Sequence, residues 1–347
     1  MRALCQATKT MESHIKGPIF LSNLEVFRQN GFLDAVVSDD EREWHERQSE
    51  GYLSLFRGYG LCDTSAAQSS EKASSPTAAA EREAGNERLL ELMKETSAVV
   101  LSRMEGTTIG HMVHCHEWNP LPEMLPPIMQ LHKHLKMKKT LSFSVADQGS
   151  AAPLACMEWL GAKEQDKERW SSLLVCSDRI QYPQRRTLHD TYRREDASAS
   201  FVIGNEHREF QIVDLNIHTW SAGGAHFYEI DAAAYEALEM QMVMRIFSYF
   251  TSNEFGANGP VKVIIQHVSE RFLKTVGEQL QEVVDLYIRD WEPNVNFGCS
   301  DPLYGLVELR DKQLLQAEDE VVLVFAGPLG VLGFLRLKYD LHLKAGV

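Results

Sequence analysis

Short runs of apolar residues, many of them β-branched, recur along most of the chain and predict strands. The predicted strands cover 98–101, 141–146, 172–177, 199–204, 210–215, 261–266, 321–325 and 333–337, with 199–204 and 210–215 forming a strand pair. Longer segments with apolar residues three or four positions apart predict helices over 87–96, 153–169, 232–250 and 270–286. Almost continuously apolar strands that alternate with helices are typical of buried sheets covered by helices. The pattern therefore predicts an α/β fold.

One segment differs in composition from the rest. Residues 64–86 read TSAAQSSEKASSPTAAAEREAGN and contain few side chains that could anchor a core. Such a composition is typical of an exposed loop or of the frayed start of a helix. We predict an exposed loop here, with a functional tether as the alternative interpretation.

The charge of the chain narrows the classes of function. Lys and Arg total 35 against 49 Asp and Glu, which gives a formal net charge of −14. Because nucleic acid is bound mainly by basic side chains that neutralise phosphates, this balance excludes a general nucleic-acid-binding protein. It also argues against an anionic membrane surface as a partner.

Neither a membrane span nor an export signal is visible in the sequence. The longest apolar run, 321–335, is interrupted by glycine and proline and is too short to cross a bilayer. Charged residues interrupt residues 1–25, so we expect no secretory signal. Six cysteines are scattered without a CxxC pair, which is not the pattern of a disulfide framework. We expect a protein of the reducing cytoplasm.

Four segments follow one another in an order and spacing that resemble the ketoacyl synthase III family of the thiolase superfamily. FSVADQGSAAPLACMEWL (143–160) resembles the strand-to-helix turn where this family places its nucleophilic cysteine. SSLLVCSDRI (171–180), with REDASASFVIG (194–204), resembles a strand and the glycine-rich segment of the family. VKVIIQHVSERFLKTVGEQL (261–280) is similar to the catalytic histidine loop, and NFGCSDPLYGLVEL (296–309) resembles the segment that carries the catalytic asparagine.

The resemblance implies a fold, an assembly and a substrate class. The fold would be a thiolase-like, five-layered α/β/α/β/α duplication with an N-terminal half at 1–215 and a C-terminal half at 216–347. The assembly would be a dimer, homomeric or heteromeric, formed through the edge of the strand at 141–146. The acyl group would come from CoA or an acyl carrier protein, and no bound cofactor is expected.

All three catalytic positions of the resembled family are altered in this sequence. Aligned without gaps, the cysteine position falls on Gly149, with Ser150 one residue later. The histidine position falls on Gln266, with His267 one residue later, and the asparagine position is Cys299. A cysteine thiolate is an effective nucleophile near neutral pH, whereas glycine offers none and a serine hydroxyl needs an adjacent base. The resemblance therefore implies a degenerate triad.

Two interpretations of these residues stay open. In the first, Ser150 caps the following helix, His267 is a hydrogen-bonded structural residue and Cys299 is a small buried side chain. In the second, Ser150 is a nucleophile at a helix N-terminus, activated by His267, because such a terminus favours a developing oxyanion. Cys299 as a displaced nucleophile is a further variant. We favour the first interpretation.

Histidines concentrate in the segment HMVHCHEW, with His111, His114 and His116, and in HKH, with His132 and His134. Zinc accepts imidazole nitrogens, but this spacing matches no standard zinc pattern. The prolines that follow the first segment predict an irregular loop. We expect no metal, and the resemblance implies a stretch near the dimer interface and acyl pocket, so contact with a partner is the preferred interpretation.

Four arginines stand out on an acidic chain: Arg185, Arg186, Arg193 and Arg194. Members of the resembled family dock an acidic acyl carrier protein through a basic patch, and this cluster could supply one, or a CoA contact, by charge complementarity. A solvated loop is the alternative interpretation.

Three functions from different classes follow. The first is a catalytically degenerate partner subunit of an active condensing enzyme in fatty-acid or polyketide-type secondary metabolite biosynthesis, similar to the non-catalytic subunit of alkylquinolone condensing heterodimers. The second is an acyltransferase that uses Ser150, or Cys299, with His267. The third is a scaffold without acyl chemistry. The loss of all three catalytic roles together favours the first.

Overall fold

The computed structural model describes residues 19–28, 76–104, 106–117, 126–146, 148–164, 167–178, 190–205, 209–220, 231–253, 255, 261–327 and 330–340. The first half of the chain forms β1 (Ile19–Arg28), α1 (Pro76–Ser102), β2 (His111–Cys115), α2 (Pro127–Leu135), β3 (Leu141–Val145), α3 (Ala152–Glu164), β4 (Ser171–Asp178), β5 (Arg193–Arg194) and β6 (Ala197–Gly204). The second half forms β7 (Phe210–Thr219), α4 (Ala232–Ser252), β8 (Val261–Ile265), α5 (Glu270–Leu280), β9 (Val284–Tyr287), β10 (Val295–Asn296), α6 (Asp301–Asp311), β11 (Glu320–Gly327) and β12 (Val331–Tyr339).

The strand order shows that the two halves repeat one topology. Ten strands follow the order β3-β2-β4-β6-β1-β7-β12-β11-β8-β9, which reads the same from both ends when each half is numbered from its own first strand. In each half the second strand is parallel to its two neighbours, and the last strand is antiparallel to both of its own. The halves meet where β1 pairs antiparallel with β7. The predicted duplication is confirmed.

Three large apolar cores hold five layers of structure together. The central core contains α3 and α6, with side chains such as Leu154 and Leu303, packed between the strands of the two halves. A second core holds α1 and α2 against the outer face of the first half, and a third holds α4 and α5 against the second. Sheets that bury both faces need nearly continuous apolar strands. Every residue of β4 and β6 is buried, and so is every residue of β11 after the first. The α/β/α/β/α arrangement is therefore that of the thiolase fold.

Several local predictions are wrong. The segment 98–101 is not a strand but the last part of α1, and this helix also takes in 76–86 of the predicted loop, while 64–75 lies outside the described residues. Thr96 hydrogen-bonds to helix carbonyls and to Ser198 of β6, which buries this turn against the sheet. The apolar run at 98–101 is thus a buried helix face rather than a strand.

Two further differences concern strands. The helix predicted over 270–286 ends at Leu280, and the β-branched residues after it begin β9. The strands at 199–204 and 210–215 exist, but β1 lies between them, so they are not a pair. β6 and β7 are neighbours in sequence, but β1 pairs with both of them and separates them in the sheet. The boundary placed at residue 215 falls within β7, the first strand of the second repeat.

Within the described ranges, no helix is both long enough and apolar enough to cross a membrane.

Candidate functional site

Polar side chains collect where the strands of both halves end. Glu117 lies two residues past β2, and Asp178 is the last residue of β4. In the second half, Gln266 directly follows β8 and Asn296 ends β10. All four side chains are buried. Ligands of open α/β sheets bind beyond the carboxyl ends of the strands, so this cluster marks the candidate site.

Two short 3₁₀ turns carry Gly149 and Cys299, which the resemblance aligns with catalytic positions, into the cluster. Gly149–Ala151 leads into α3, and Gly298–Ser300 leads into α6. The first residue of each turn is a glycine in the left-handed region, with φ of 51° and 59°. The duplication relates the two turns, so Ser150 and Cys299 occupy corresponding positions at the starts of the two central helices.

The carboxylate of Glu117 is the centre of the site. Its Oε1 accepts hydrogen bonds from the hydroxyl of Ser150 and, at 3.3 Å, from Nε2 of Gln266. Its Oε2 accepts from the guanidinium of Arg194 in a buried ion pair. Burial raises the pKa of Glu117, although Arg194 acts in the opposite direction. Ser150 is therefore partnered by a carboxylate rather than by an imidazole.

Asp178 joins the two halves at the same level. Its Oδ1 accepts a 2.7 Å hydrogen bond from the backbone N–H of Glu117, and its Oδ2 accepts one of 2.7 Å from the backbone N–H of Cys299. The carboxylate thus holds the end of β2 against the turn that begins α6. A Cβ atom at Gly298 would lie 2.3 Å from Oδ2 of Asp178, so the turn can approach only because this residue is glycine.

The side chain of Gln266 is fully engaged by protein groups. Its Nε2 donates to Oδ1 of Asn296 at 3.2 Å as well as to Glu117. Its Oε1 accepts from the backbone N–H of Ala326 at 2.9 Å. Asn296 also accepts from the N–H of Gly298 at 2.8 Å, which continues the network into the second turn. Gln266 therefore acts as a structural link between β8, β10 and β11.

His267 belongs to a neighbouring cluster. Its backbone N–H donates to Oδ1 of Asp301 at 2.9 Å, and its Nδ1 donates to the carbonyl of Pro293 at 2.7 Å. Arg289 bonds the other carboxylate oxygen of Asp301 at 3.2 Å and lies 3.5 Å from Nδ1 of His267. Burial lowers the pKa of His267. Among the described residues, the structure gives no hydrogen bond that joins His267 to Ser150.

Cys299 lies deep in the central core. Its thiol donates to the carbonyl of Cys115 at 3.3 Å. Burial raises the pKa of Cys299 well above its usual range, so the sulfur stays a protonated thiol near neutral pH. The four described cysteines, all buried and unpaired, are Cys115, Cys156, Cys176 and Cys299.

Of the four arginines predicted to form a basic patch for a carrier protein, the two that the structure describes have different surroundings. Arg194 is buried against the carboxylate at the site centre, and Arg193 forms a 3.1 Å ion pair with Glu195 at the surface. Arg185 and Arg186 lie outside the described residues. Arg194 thus contributes to the site rather than to a surface patch.

The histidine segment is wrongly predicted as a loop, because residues 111–115 form β2, a fully buried strand. Successive side chains of a strand point to opposite faces, so His111 faces away from His114 and His116. His111 approaches Ser172 at 3.2 Å, while His114 approaches Oγ of Ser177 at 2.8 Å. Within the described part of the chain, no group of three histidine, cysteine or acidic residues could hold a metal ion.

Sequence reasoning missed Glu117, Asp178 and Asn296. Asp178 offered a signal, because it is an acidic residue directly after the predicted strand at 172–177. Glu117 offered none, because the strand before it, β2, was not predicted. Arg194 was named, but for a surface role.

No protein-family model matches this sequence, and no curated protein matches it either. Solved structures do. ChlB3, described as an acyltransferase, superposes with a TM-score of 0.63 at 15% identity, over 93% of this chain and 98% of that one. The 3-oxoacyl-(acyl carrier protein) synthase III FabH of Pseudomonas aeruginosa PAO1 gives 0.60 at 14% identity, over 93% and 99%.

A variant of OleA from Xanthomonas campestris is also similar, with a TM-score of 0.60 at 10% identity over 93% of this chain and 98% of that one. At such identities, likeness to solved structures establishes the fold. The fold inferred from the resemblance to ketoacyl synthase III is confirmed. This chain has the thiolase fold of the ChlB3, FabH and OleA structures.

Proposed function

We propose that the chain is a thiolase-fold subunit that does not condense acyl thioesters itself. It pairs with an active ketoacyl synthase III-like enzyme in fatty-acid or polyketide-type secondary metabolite biosynthesis. One observation carries the proposal: Ser150, Arg194 and Gln266 all donate to the carboxylate of Glu117, where the resembled family keeps its nucleophile and histidine. The Ser150 hydroxyl and the amide N–H groups of Gln266 already donate to protein acceptors, so they are not available to an acyl thioester.

The chemistry of each altered position supports this function. Gly149 has no nucleophile. Gln266 cannot exchange a proton near neutral pH as histidine can, and its amide donors are spent on Glu117 and Asn296. Cys299 is held as a thiol by burial, which raises its pKa, and a thiol is a far weaker nucleophile than a thiolate.

Among the strands that the structure describes, β3 lies at an edge of the sheet, and this edge supports a role in pairing. This strand ends the ten-stranded sheet, and Leu141 on it is 54% exposed. Next to it, Trp159 of α3 is 46% exposed and packs edge-to-face on Phe143 with ring centroids 5.3 Å apart. An apolar edge strand is a template for pairing with another chain. We propose that the corresponding strand of the thiolase-fold partner pairs here, in an interface of roughly 2,000 Å² or more.

The first test looks for a covalent acyl-enzyme. Wild type, Ser150→Ala and Cys299→Ala are incubated with acetyl-CoA and octanoyl-CoA and analysed by intact mass. We expect no adduct on any of the three, and no condensation product when malonyl-CoA is added. An adduct on the wild type would contradict the proposal.

The second test measures pairing by sedimentation, with the chain alone and mixed with a thiolase-fold enzyme from the same genome that retains Cys, His and Asn. We expect a dimer in the mixture and enzyme activity that depends on this chain. Leu141→Lys should weaken pairing at least about tenfold, because it places a charge on an apolar edge. Leu314→Lys, at a site 46% exposed away from β3, is the matched control. A 39.3 kDa monomer in both samples would contradict pairing.

A second candidate function is acyl transfer through Ser150. One observation favours it: the Ser150 hydroxyl donates to Glu117, whose pKa is raised by burial, so the carboxylate could receive the hydroxyl proton. In the mass experiment, an adduct lost only in Ser150→Ala would establish this function. An adduct lost only in Cys299→Ala would identify that thiol as the nucleophile.

A further inference from the structure

Three donors from separate elements converge on one carboxylate at the site centre. Ser150 comes from the turn before α3, Arg194 from β5 and Gln266 from the end of β8. Ser150 and Gln266 reach Oε1 of Glu117, and Arg194 reaches Oε2. The three donor residues and Glu117 are all buried.

Such an arrangement has the chemistry of an anion site. Arginine bonds carboxylates with charge assistance, and hydroxyl and amide donors complete the shell of the second oxygen. Asp178 is the opposing charge, but its two oxygens accept backbone N–H groups of Glu117 and Cys299 and so are held by other donors. The guanidinium thus faces the carboxylate of Glu117 as an ion-pair partner, and both residues are buried.

We propose that Ser150, Arg194 and Gln266 form a receptor for a carboxylate, and that Glu117 of the same chain is its occupant in this structure. Glu117 then acts as a tethered competitor, and an external carboxylate binds only where Glu117 is absent or displaced. The inference rests on the proposed function in one respect, because it takes the site to be closed to acyl thioesters and explains that closure by the presence of Glu117.

Removing the occupant tests the receptor. Glu117→Ala deletes a CH₂–COO⁻ fragment, which acetate matches in size and charge. Binding to the folded state alone raises stability by RT ln(1 + [L]/Kd). At ten times its Kd, acetate should therefore raise the Tm of Glu117→Ala by roughly 2 °C over chloride at equal ionic strength. Acetamide, which has the same shape without the charge, should have little effect.

Four controls test whether acetate binds to the receptor formed by Ser150, Arg194 and Gln266. In Glu117→Gln and in the wild type a side chain of the same size still fills the receptor, so acetate should not shift the Tm of either protein. The double variant Glu117→Ala/Arg194→Met removes the charge that recognises the anion and should not respond. Glu164→Ala removes another buried carboxylate, whose Oε1 has no hydrogen-bond partner, and should not respond either.

The receptor is overturned if acetate and acetamide act equally on Glu117→Ala, or if Glu164→Ala responds to acetate as strongly. If Glu117→Ala is unfolded in chloride, refolding in acetate alone supports the receptor, and failure to refold in either salt contradicts it. These readouts need neither a partner nor acyl-CoA. An acyl adduct on the wild type would therefore remove the proposed function without deciding the receptor.

Discussion

Single residues decide how closely the two halves approach at the site. Gly298 combines a φ of 59° with a position where a Cβ would meet the carboxylate of Asp178. That carboxylate holds Cys299 and the end of β2 through backbone hydrogen bonds, so a shift of Asp178 would disturb both halves.

We predict that Gly298→Ala lowers the free energy of unfolding by about 2–4 kcal/mol, from left-handed strain together with overpacking. The matched control is Gly106→Ala, because Gly106 also has a positive φ, 81°, but nothing within 4 Å of an added Cβ. That change should cost about 1 kcal/mol. Denaturant unfolding measures both, and equal losses would refute the role of Asp178 contact.

Helix starts differ in how much of the structure depends on them. Ser269 caps α5 by accepting the N–H of Phe272 at 3.0 Å, and its hydroxyl donates to the buried Glu239 at 2.8 Å. Asp231 caps α4 through the N–H of Ala234 at 2.7 Å in an exposed position. Ser269 therefore serves two partners, and Asp231 serves one.

Replacing each cap by alanine should separate the two roles. Asp231→Ala should cost about 1 kcal/mol, the usual loss of an N-cap. Ser269→Ala should cost about 2–3 kcal/mol, because it also removes a donor from a buried carboxylate. Thermal or urea unfolding checks the difference. If Ser269→Ala costs no more than Asp231→Ala, the bond to Glu239 contributes nothing.

Over the whole molecule, buried histidines couple stability to pH. Burial holds the pKa of His114 well below its usual 6.5, and the nearby His116 adds to this. Below about pH 6.5 the unfolded chain binds a proton that the folded chain does not. The contribution is therefore present above pH 6.5 and is lost as the pH falls. Glu117 acts in the opposite direction, because its raised pKa gives stability at low pH that is lost as the pH rises.

We predict that His114→Gln flattens the fall in stability between pH 6.5 and 5 by up to about 1.4 kcal/mol per pH unit. The measurement is the free energy of unfolding at a series of pH values in that window. The effect of Glu117 is common to both proteins and cancels in the comparison. His134→Gln, on the exposed face of α2, controls for the loss of a histidine. A slope equal to that of the wild type would show that His114 does not carry the coupling.

The sequence by itself determined the fold class, because apolar strands and amphipathic helices are local patterns that burial enforces. The order of four segments also aligned Gly149, Gln266 and Cys299 with the positions that the resemblance assigns to the catalytic residues. The sequence-based prediction failed where the local pattern is ambiguous. The apolar run at 98–101 suits a strand or a buried helix equally, and β2 was not predicted as a strand because its histidines interrupt the apolar pattern.

Only the tertiary structure decided which side chains meet. Arg194 and Gln266 lie 77 and 149 residues from Glu117 in sequence, and all three are joined because the duplication brings strand ends of both halves to one place. The same geometry turned His267 toward Pro293 and Asp301, and gave Ser150 a carboxylate as its partner. Periodicity encodes burial, which is local, whereas a hydrogen-bonded site depends on distances that only the packed fold sets.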